Sequence, residues 1–292
     1  MMSMRALVTG ANGMLADAFC PLLCKSGYEV YPTDIAGNAN IFKMDIRDPV
    51  SIKNFLSDHP VDIVFHLAAE TDVDKCELNA EHAYATNAKG TENVAMACGG
   101  HDLPMVYIST GAVFDGEKIT GYAEDDAPNP INIYGKSKLE GERAVRRLLK
   151  KYYIVRAGWM IGGYDKDKKF VWKIVQLLRG SSEIKAVVDK IGTPTFTGDL
   201  AKGLIRIAST GKYGVYHCVN KGICSRFDIA VKIAEYLDKG NVNIKPVTSE
   251  LFPMPAPRGR SEALLNSRLA SMGMDSMRTW QDALREYLED AR

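Results

Sequence analysis

In the first half of the chain, short continuous apolar runs alternate with longer stretches in which apolar residues recur every three or four positions. Residues 5–9, 29–34, 41–44, 61–69, 105–109 and the run beginning at 153–156 read as strands, the third being the weakest. Helix-periodic stretches at 13–26, 49–58, 81–98 and about 134–150 lie between them. Strands that are apolar along their whole length and separated by helices predict a parallel sheet covered on both faces, the doubly wound α/β arrangement. The second half is less regular. It predicts helices at 170–178, 199–208, 227–237 and 277–288, a strand at 214–219, and an ordered loop with three prolines at 250–259. In such sheets a ligand sits outside the carboxyl ends of the strands, so the cleft between the two halves is the expected site.

Length and charge narrow the class. A chain of 292 residues holds roughly two domains or one large one. With 37 Lys and Arg against 36 Asp and Glu the net charge is +1, which argues against a nucleic-acid-coating surface. No apolar run approaches the roughly 20 residues that span a bilayer. Residues 1–5 lead straight into the first strand, without the longer apolar region of a secretory signal. The six cysteines form no CxxC pair, and reduced thiols in a cytoplasmic protein are the expectation. The five histidines show no HxxxH or HExxH spacing, so no metal site is expected.

Two motifs carry chemistry. Gly10-Ala11-Asn12-Gly13-Met14-Leu15-Ala16 follows the first strand and opens the first helix. Glycine is needed where the chain turns tightly and where backbone must approach a pyrophosphate, and the helix N-terminus adds free N–H groups. Asp34 ends the second strand, where an acid pairs with a ribose. Together these give a Rossmann-type dinucleotide site. Asp34 favours NAD(H), whereas the 2′-phosphate of NADP(H) wants a nearby base. Lys43 and Arg47 are the nearest, so both cofactors stand. The second motif is Tyr134-Gly135-Lys136-Ser137-Lys138, a YxxxK spacing that puts tyrosine and lysine on one helix face. Lys138 is expected to lower the Tyr134 pKa, and Tyr134 to donate a proton to a carbonyl oxygen. Thr110, at the end of the fifth strand, can bond the same oxygen.

LVTGANGML, LAAETDVDKCE, YISTGAVFDG, PINIYGKSKLEGE, VRAGWMIG, GTPTFTGDLA and FPMPAPRGR occur in this order over nearly the whole chain. In them the sequence resembles the extended short-chain dehydrogenase/reductase superfamily, and within it the dTDP-4-dehydrorhamnose reductase family. The resemblance implies a catalytic triad of Thr110, Tyr134 and Lys138. It implies cofactor contacts at Gly10, Asn12, Gly13, Met14, Leu15, Asp34, Asp45, Ile46, Ala68, Ala69 and Thr71, with Asn87, Tyr134 and Lys138 also at the cofactor cleft. It places Val73, Thr110, Trp159 and Arg258 at a nucleotide-sugar. A core aromatic is the competing reading of Trp159, and a surface charge that of Arg258. The implied division is a dinucleotide-binding domain at 1–160 and a mainly substrate-binding, smaller lobe at 161–292, some segments of which return to the first domain.

The implied activity is NAD(P)H-dependent reduction of a nucleotide-linked 4-keto-6-deoxy sugar, as in dTDP-L-rhamnose biosynthesis. The implied partner is that nucleotide-sugar, not nucleic acid or membrane, and a homodimer is left open. Where the family reads STDYVF, this chain has Ser109-Thr110-Gly111-Ala112-Val113-Phe114, so an acid and an aromatic are replaced. The RP dipeptide of the proline loop is Arg258-Gly259 here. Two alternatives follow from these changes. One is a reductase or epimerase of another nucleotide-sugar. The other is a non-catalytic relative, such as the regulatory subunit of a methionine adenosyltransferase.

Overall fold

The computed structural model describes residues 3–166 and 170–290. Its centre is a seven-stranded, fully parallel sheet. In chain order the first six strands are β1 (Met4–Thr9), β2 (Tyr28–Asp34), β3 (Phe42–Lys43), β4 (Ile63–His66), β5 (Met105–Thr110) and β6 (Tyr152–Ala157). The seventh, Gly214–His217, returns from the second half and pairs with β6. Across the sheet the order is Gly214–His217, β6, β5, β4, β1, β2, β3. The order reverses between β1 and β4, which opens a crevice at the carboxyl ends of the strands.

Side-chain alternation explains why both faces are covered. Ala6, Val8, Ile63, Phe65, Val106, Ile108, Tyr153 and Val155 point to one face. They pack there against Leu15, Phe19 and Leu23 of helix α1 (Met14–Lys25) and Leu200, Leu204 and Ile207 of the helix Thr197–Ala208. Leu7, Val64, Met105, Tyr107 and Ile154 point to the other. Helices α2 (Pro49–Asp58), α5 (Thr91–Gly100) and α6 (Ile133–Leu148) cover that face. A separate core joins the helices Phe170–Leu177, Arg226–Tyr236 and Trp280–Asp290 to the strand Glu183–Val187, which pairs with Asn243–Val247. Five further short strands form two small sheets. Trp159–Ile161 pairs with Pro194–Phe196, and Ile191–Gly192 pairs with both Cys224–Ser225 and Ser261–Glu262.

Several expectations shift. The predicted strand 61–69 is confined to Ile63–His66, and the residues after it pack against the turn at Gly10. The stretch 81–98 is not one helix. It runs as α4 (Ala80–Tyr84), a π turn (Ala85–Gly90) and α5. A helix α3 (Val73–Leu78), capped by the Asp72 carboxylate, fills a segment with no predicted element. The predicted strand 214–219 stops at His217. All six cysteines are free thiols. Among the described residues no helix is long and apolar enough to cross a membrane.

Candidate active site

The site is built on the ends of β1, β2, β4 and β5 and on the first turns of α1 and α6. Gly10 adopts a φ of +73°, and a Cβ on it would stand 2.7 Å from the Cα and N of Ala68. The turn after β1 therefore lies directly on the loop after β4. α1 begins with Gly13 as its N-cap and no side chain closes it, leaving first-turn N–H groups for an anion. Asp34 braces the turn, accepting from the Asn12 N–H at 3.1 Å and the Ala36 N–H at 3.2 Å. Lys43 is the register partner of Asp34 on β3, which brings a base beside the acid. Arg47 is forked onto Asp45 through Nε at 3.0 Å and Nη2 at 2.7 Å. The sequence reading missed Lys166, whose Nζ reaches Asn12 O at 3.4 Å and Asp17 at 2.7 Å. It adds a cation to the turn. Gly10→Ala is expected to weaken cofactor binding by about tenfold or more, since left-handed backbone costs a non-glycine about 1–2 kcal/mol before the clash with Ala68 is counted. Titration of cofactor fluorescence would measure it.

The loop after β4 is fixed by a buried imidazole. Thr91 donates to Asn87 O at 2.8 Å, so His66 Nε2–H donates to Thr91 Oγ1 at 3.1 Å. His66 Nδ1 then accepts from the Thr9 hydroxyl at 2.8 Å, and Thr9 Oγ1 accepts the Ala68 N–H at 3.2 Å. Burial, with the charge of Lys138 nearby, pushes His66 down to about 3, so the ring stays neutral. Asn87 is fully buried, and its amide is spent on Glu70 backbone at 2.8 and 3.0 Å and on Ser137 Oγ at 3.1 Å. It ties the β4 loop to α6 rather than facing the cleft. Ile46 likewise buries its side chain against Gly90, leaving only its backbone for a ligand.

Asn132 caps α6, accepting from the Gly135 N–H at 2.8 Å. A Cβ on Gly135 would stand 2.0 Å from Ala112 O, and one on Gly141 would stand 2.4 Å from the Tyr107 hydroxyl. These two glycines let α6 lie directly on β5. Tyr134, Lys138 and Glu142 then share one face at four-residue spacing. The Thr110 hydroxyl accepts the Ala112 N–H at 3.1 Å and acts to lower the Tyr134 pKa. Lys138 Nζ lies 4.2 Å from the centre of the Tyr107 ring. Burial holds Lys138 down to about 7, opposed by Glu142 and Cys76.

One expectation is corrected here. Burial raises the Tyr134 pKa, and the nearby Cys76, Glu262 and Glu70 add to the rise, while Thr110 opposes it. Even with Lys138 one turn away, the net direction is upward. Tyr134 is thereby held protonated, ready to give its proton away.

Beneath the triad, Glu142 takes Arg156 through Nε at 2.9 Å and Nη2 at 2.8 Å, and Ser109 Oγ donates to it at 2.6 Å. The sequence reading found none of these three. Val73 opens α3, and Arg258 is paired with Asp74 beside it at 3.0 Å. Arg258 is thus neither bare surface charge nor free for a ligand without breaking that pair. Trp159 is half-buried against the lobe's core and donates its indole N–H to Glu262 at 3.2 Å.

A parallel sheet of this order with a glycine turn after β1 is a Rossmann-type fold, and it carries Thr110, Tyr134 and Lys138 on β5 and α6. The family model described as the RmlD substrate binding domain matches residues 4–292, and the chain belongs to that family. It is 35% identical to the dTDP-4-dehydrorhamnose reductase of Mycolicibacterium smegmatis, over 98% of this chain and 85% of the relative. Among solved structures it is similar to a dTDP-4-dehydrorhamnose reductase of Clostridium acetobutylicum, with TM-score 0.92, 39% identity, and coverage of 98% and 99% of the two chains. It is also similar to that of Bacillus anthracis in complex with NADP, with TM-score 0.93, 36% identity, and coverage of 99% and 100%.

Proposed function

We propose that this chain is an NAD(P)H-dependent reductase of a nucleotide-linked 4-keto-6-deoxy sugar, with dTDP-4-dehydrorhamnose as the first substrate to try. The observation that carries the reading is Tyr134, one turn before Lys138 on α6 with Thr110 at the end of β5 acting on its hydroxyl, in a fold whose first strand ends in a glycine-rich turn. Cofactor residues are Gly10, Asn12, Gly13, Met14, Leu15, Asp34, Asp45, Ala68, Ala69 and Thr71, with Ile46 through its backbone. Lys43 and Arg47 are the bases available for a 2′-phosphate. When bound, the nicotinamide supplies the hydride taken up by the keto carbon. Thr110 and Tyr134 hold the keto oxygen, and Tyr134 gives it a proton. Lys138 then favours the tyrosinate left behind. The sugar is held from α3 by Val73 and from the lobe at 161–292 by the region of Trp159 and Arg258. A cytoplasmic location fits six free thiols.

The test is oxidation of NADPH and NADH by the purified chain with dTDP-4-dehydrorhamnose, followed against pH. Lys138 is charged below about 7 and neutral above it. Activity that needs this charge is expected to be full below about 7 and to fall as pH rises through it, and Lys138→Met should abolish that limb. Stability runs the other way. The unfolded chain binds the Lys138 proton up to its ordinary 10.5, so the folded state gains stability as pH rises from about 7 towards 10.5. No oxidation of either cofactor, together with stoichiometric capture of an enzyme partner, would favour the non-catalytic alternative.

A further inference from the structure

The reaction as derived leaves one carboxylate in the cleft without a role. Glu262 lies on the short strand Ser261–Glu262, which pairs with Ile191–Gly192. That segment passes close to the end of β5 at residue 111, which has no side chain. A Cβ on Gly111 would stand 3.3 Å from Glu262 O and 3.4 Å from Leu264 Cγ. From there the Glu262 side chain meets Trp159, accepting the indole N–H on Oε2 at 3.2 Å. The indole is itself fixed. A Cβ on Gly192 would lie 2.6 Å from its ring, and the Arg226 guanidinium carbon stands 3.7 Å from the ring centroid. Among the described residues none donates a hydrogen bond to Oε1 of Glu262. The Glu262 charge helps to raise the Tyr134 pKa, and the Glu262 backbone lies against Gly111, the residue that follows Thr110.

An anchored carboxylate with a free oxygen beside the proton donor suits a neutral polyol. It accepts from a hydroxyl, and a sugar without that hydroxyl leaves it desolvated and unpaired. We propose that Glu262 is a specificity-determining residue whose Oε1 accepts a hydrogen bond from a hydroxyl on the ring carbon next to the keto carbon. Trp159 acts through it as a positioning residue. The proposal rests on the keto-sugar reductase reading and names the feature of the sugar that the cleft selects. It also accounts for Gly111, since the side chain absent there makes room for the strand that brings the acid in.

The experiment compares two nucleotide-linked 4-keto-6-deoxy sugars, one with a 3-hydroxyl and its 3-deoxy counterpart, on the wild type and on Glu262→Gln. Glutamine keeps the length and an oxygen for the Trp159 N–H, so the fold and the indole are preserved. The wild type is expected to prefer the 3-hydroxy sugar. In the variant the ratio of kcat/KM values should collapse by about tenfold to a hundredfold, the range for one charge-assisted hydrogen bond. Calorimetric Kd values for the two sugars should narrow in parallel, with the loss in KM more than in kcat. If the variant loses equally on both sugars, or keeps the wild-type ratio, Glu262 only holds Trp159 and the proposal is overturned. A wild type that reduces neither sugar overturns the reductase reading and this assignment with it. A wild type that reduces both, with a ratio untouched by the substitution, overturns Glu262 alone.

Discussion

Replacing Tyr134 with phenylalanine is expected to lower turnover by roughly 10²–10⁴-fold while the cofactor still binds, the span usual for loss of one positioned proton donor. The side chain stands at the start of α6, and the backbone there is locked by the Asn132 cap and by Gly135 pressed on Ala112 O. Phenylalanine fills the same space, so neither the helix nor the glycine turn moves. What is lost is one O–H, its interaction with Thr110, and the proton that must reach the keto oxygen. Water is a poor substitute in a site that desolvates Lys138 and Tyr134 this strongly. Single-turnover kinetics with cofactor fluorescence would separate the two readouts. Full activity in the variant would end the mechanism.

The second large effect lies one layer down. Glu142→Ala is expected to destabilise the fold by about 3–5 kcal/mol, because it leaves a charge buried without its partner. Arg156 is the largest fully buried side chain among the described residues, and after the substitution its guanidinium would keep among them the Glu124 carbonyl at 3.4 Å and His217 at 3.4 Å. That histidine is held down to about 3 by its burial and by Arg156 itself, so it brings no negative charge. For chains of 150–250 residues each kcal/mol moves Tm by about 2–4 °C, which puts the drop near ten degrees for this longer chain. The double variant Glu142→Leu with Arg156→Met removes both charges and should recover most of the loss. Calorimetric unfolding of the three variants tests this. The same pair reaches the chemistry. Glu142 opposes the fall of the Lys138 pKa, so Glu142→Gln should move the alkaline limb of the activity profile to lower pH.

Much of this was legible in the residues. The alternation of Leu7 against Ala6 and Val8, and of Tyr107 against Val106 and Ile108, follows from continuous apolar strands with helices on both faces. The glycine turn and the Tyr134–Lys138 spacing have mechanical reasons that do not depend on distant partners. The π turn at Ala85–Gly90 was hidden because Gly90 and Gly141 matter only through what presses on them, Ile46 and the Tyr107 hydroxyl. The lobe's strands are two to five residues long, too short for any period to register. The direction of the Tyr134 shift depends on burial, which spacing does not reveal. Glu262 sits in no motif, and its backbone packs beside a glycine 151 positions earlier in the chain.

The seventh strand has a bearing on how this molecule is made. Gly214–His217 closes the sheet on β6, and the helix Thr197–Ala208 roofs one face, so a nascent chain that has just emerged to Ala157 has a sheet with one naked rim and half a cover. Unpaired N–H and C=O groups along β6 would wait there for some sixty further residues, about 3–12 seconds at ordinary rates of synthesis. The dinucleotide turn is therefore ready long before the floor beneath the triad is sealed. Any chaperone that meets this chain during translation is expected to find it by that rim.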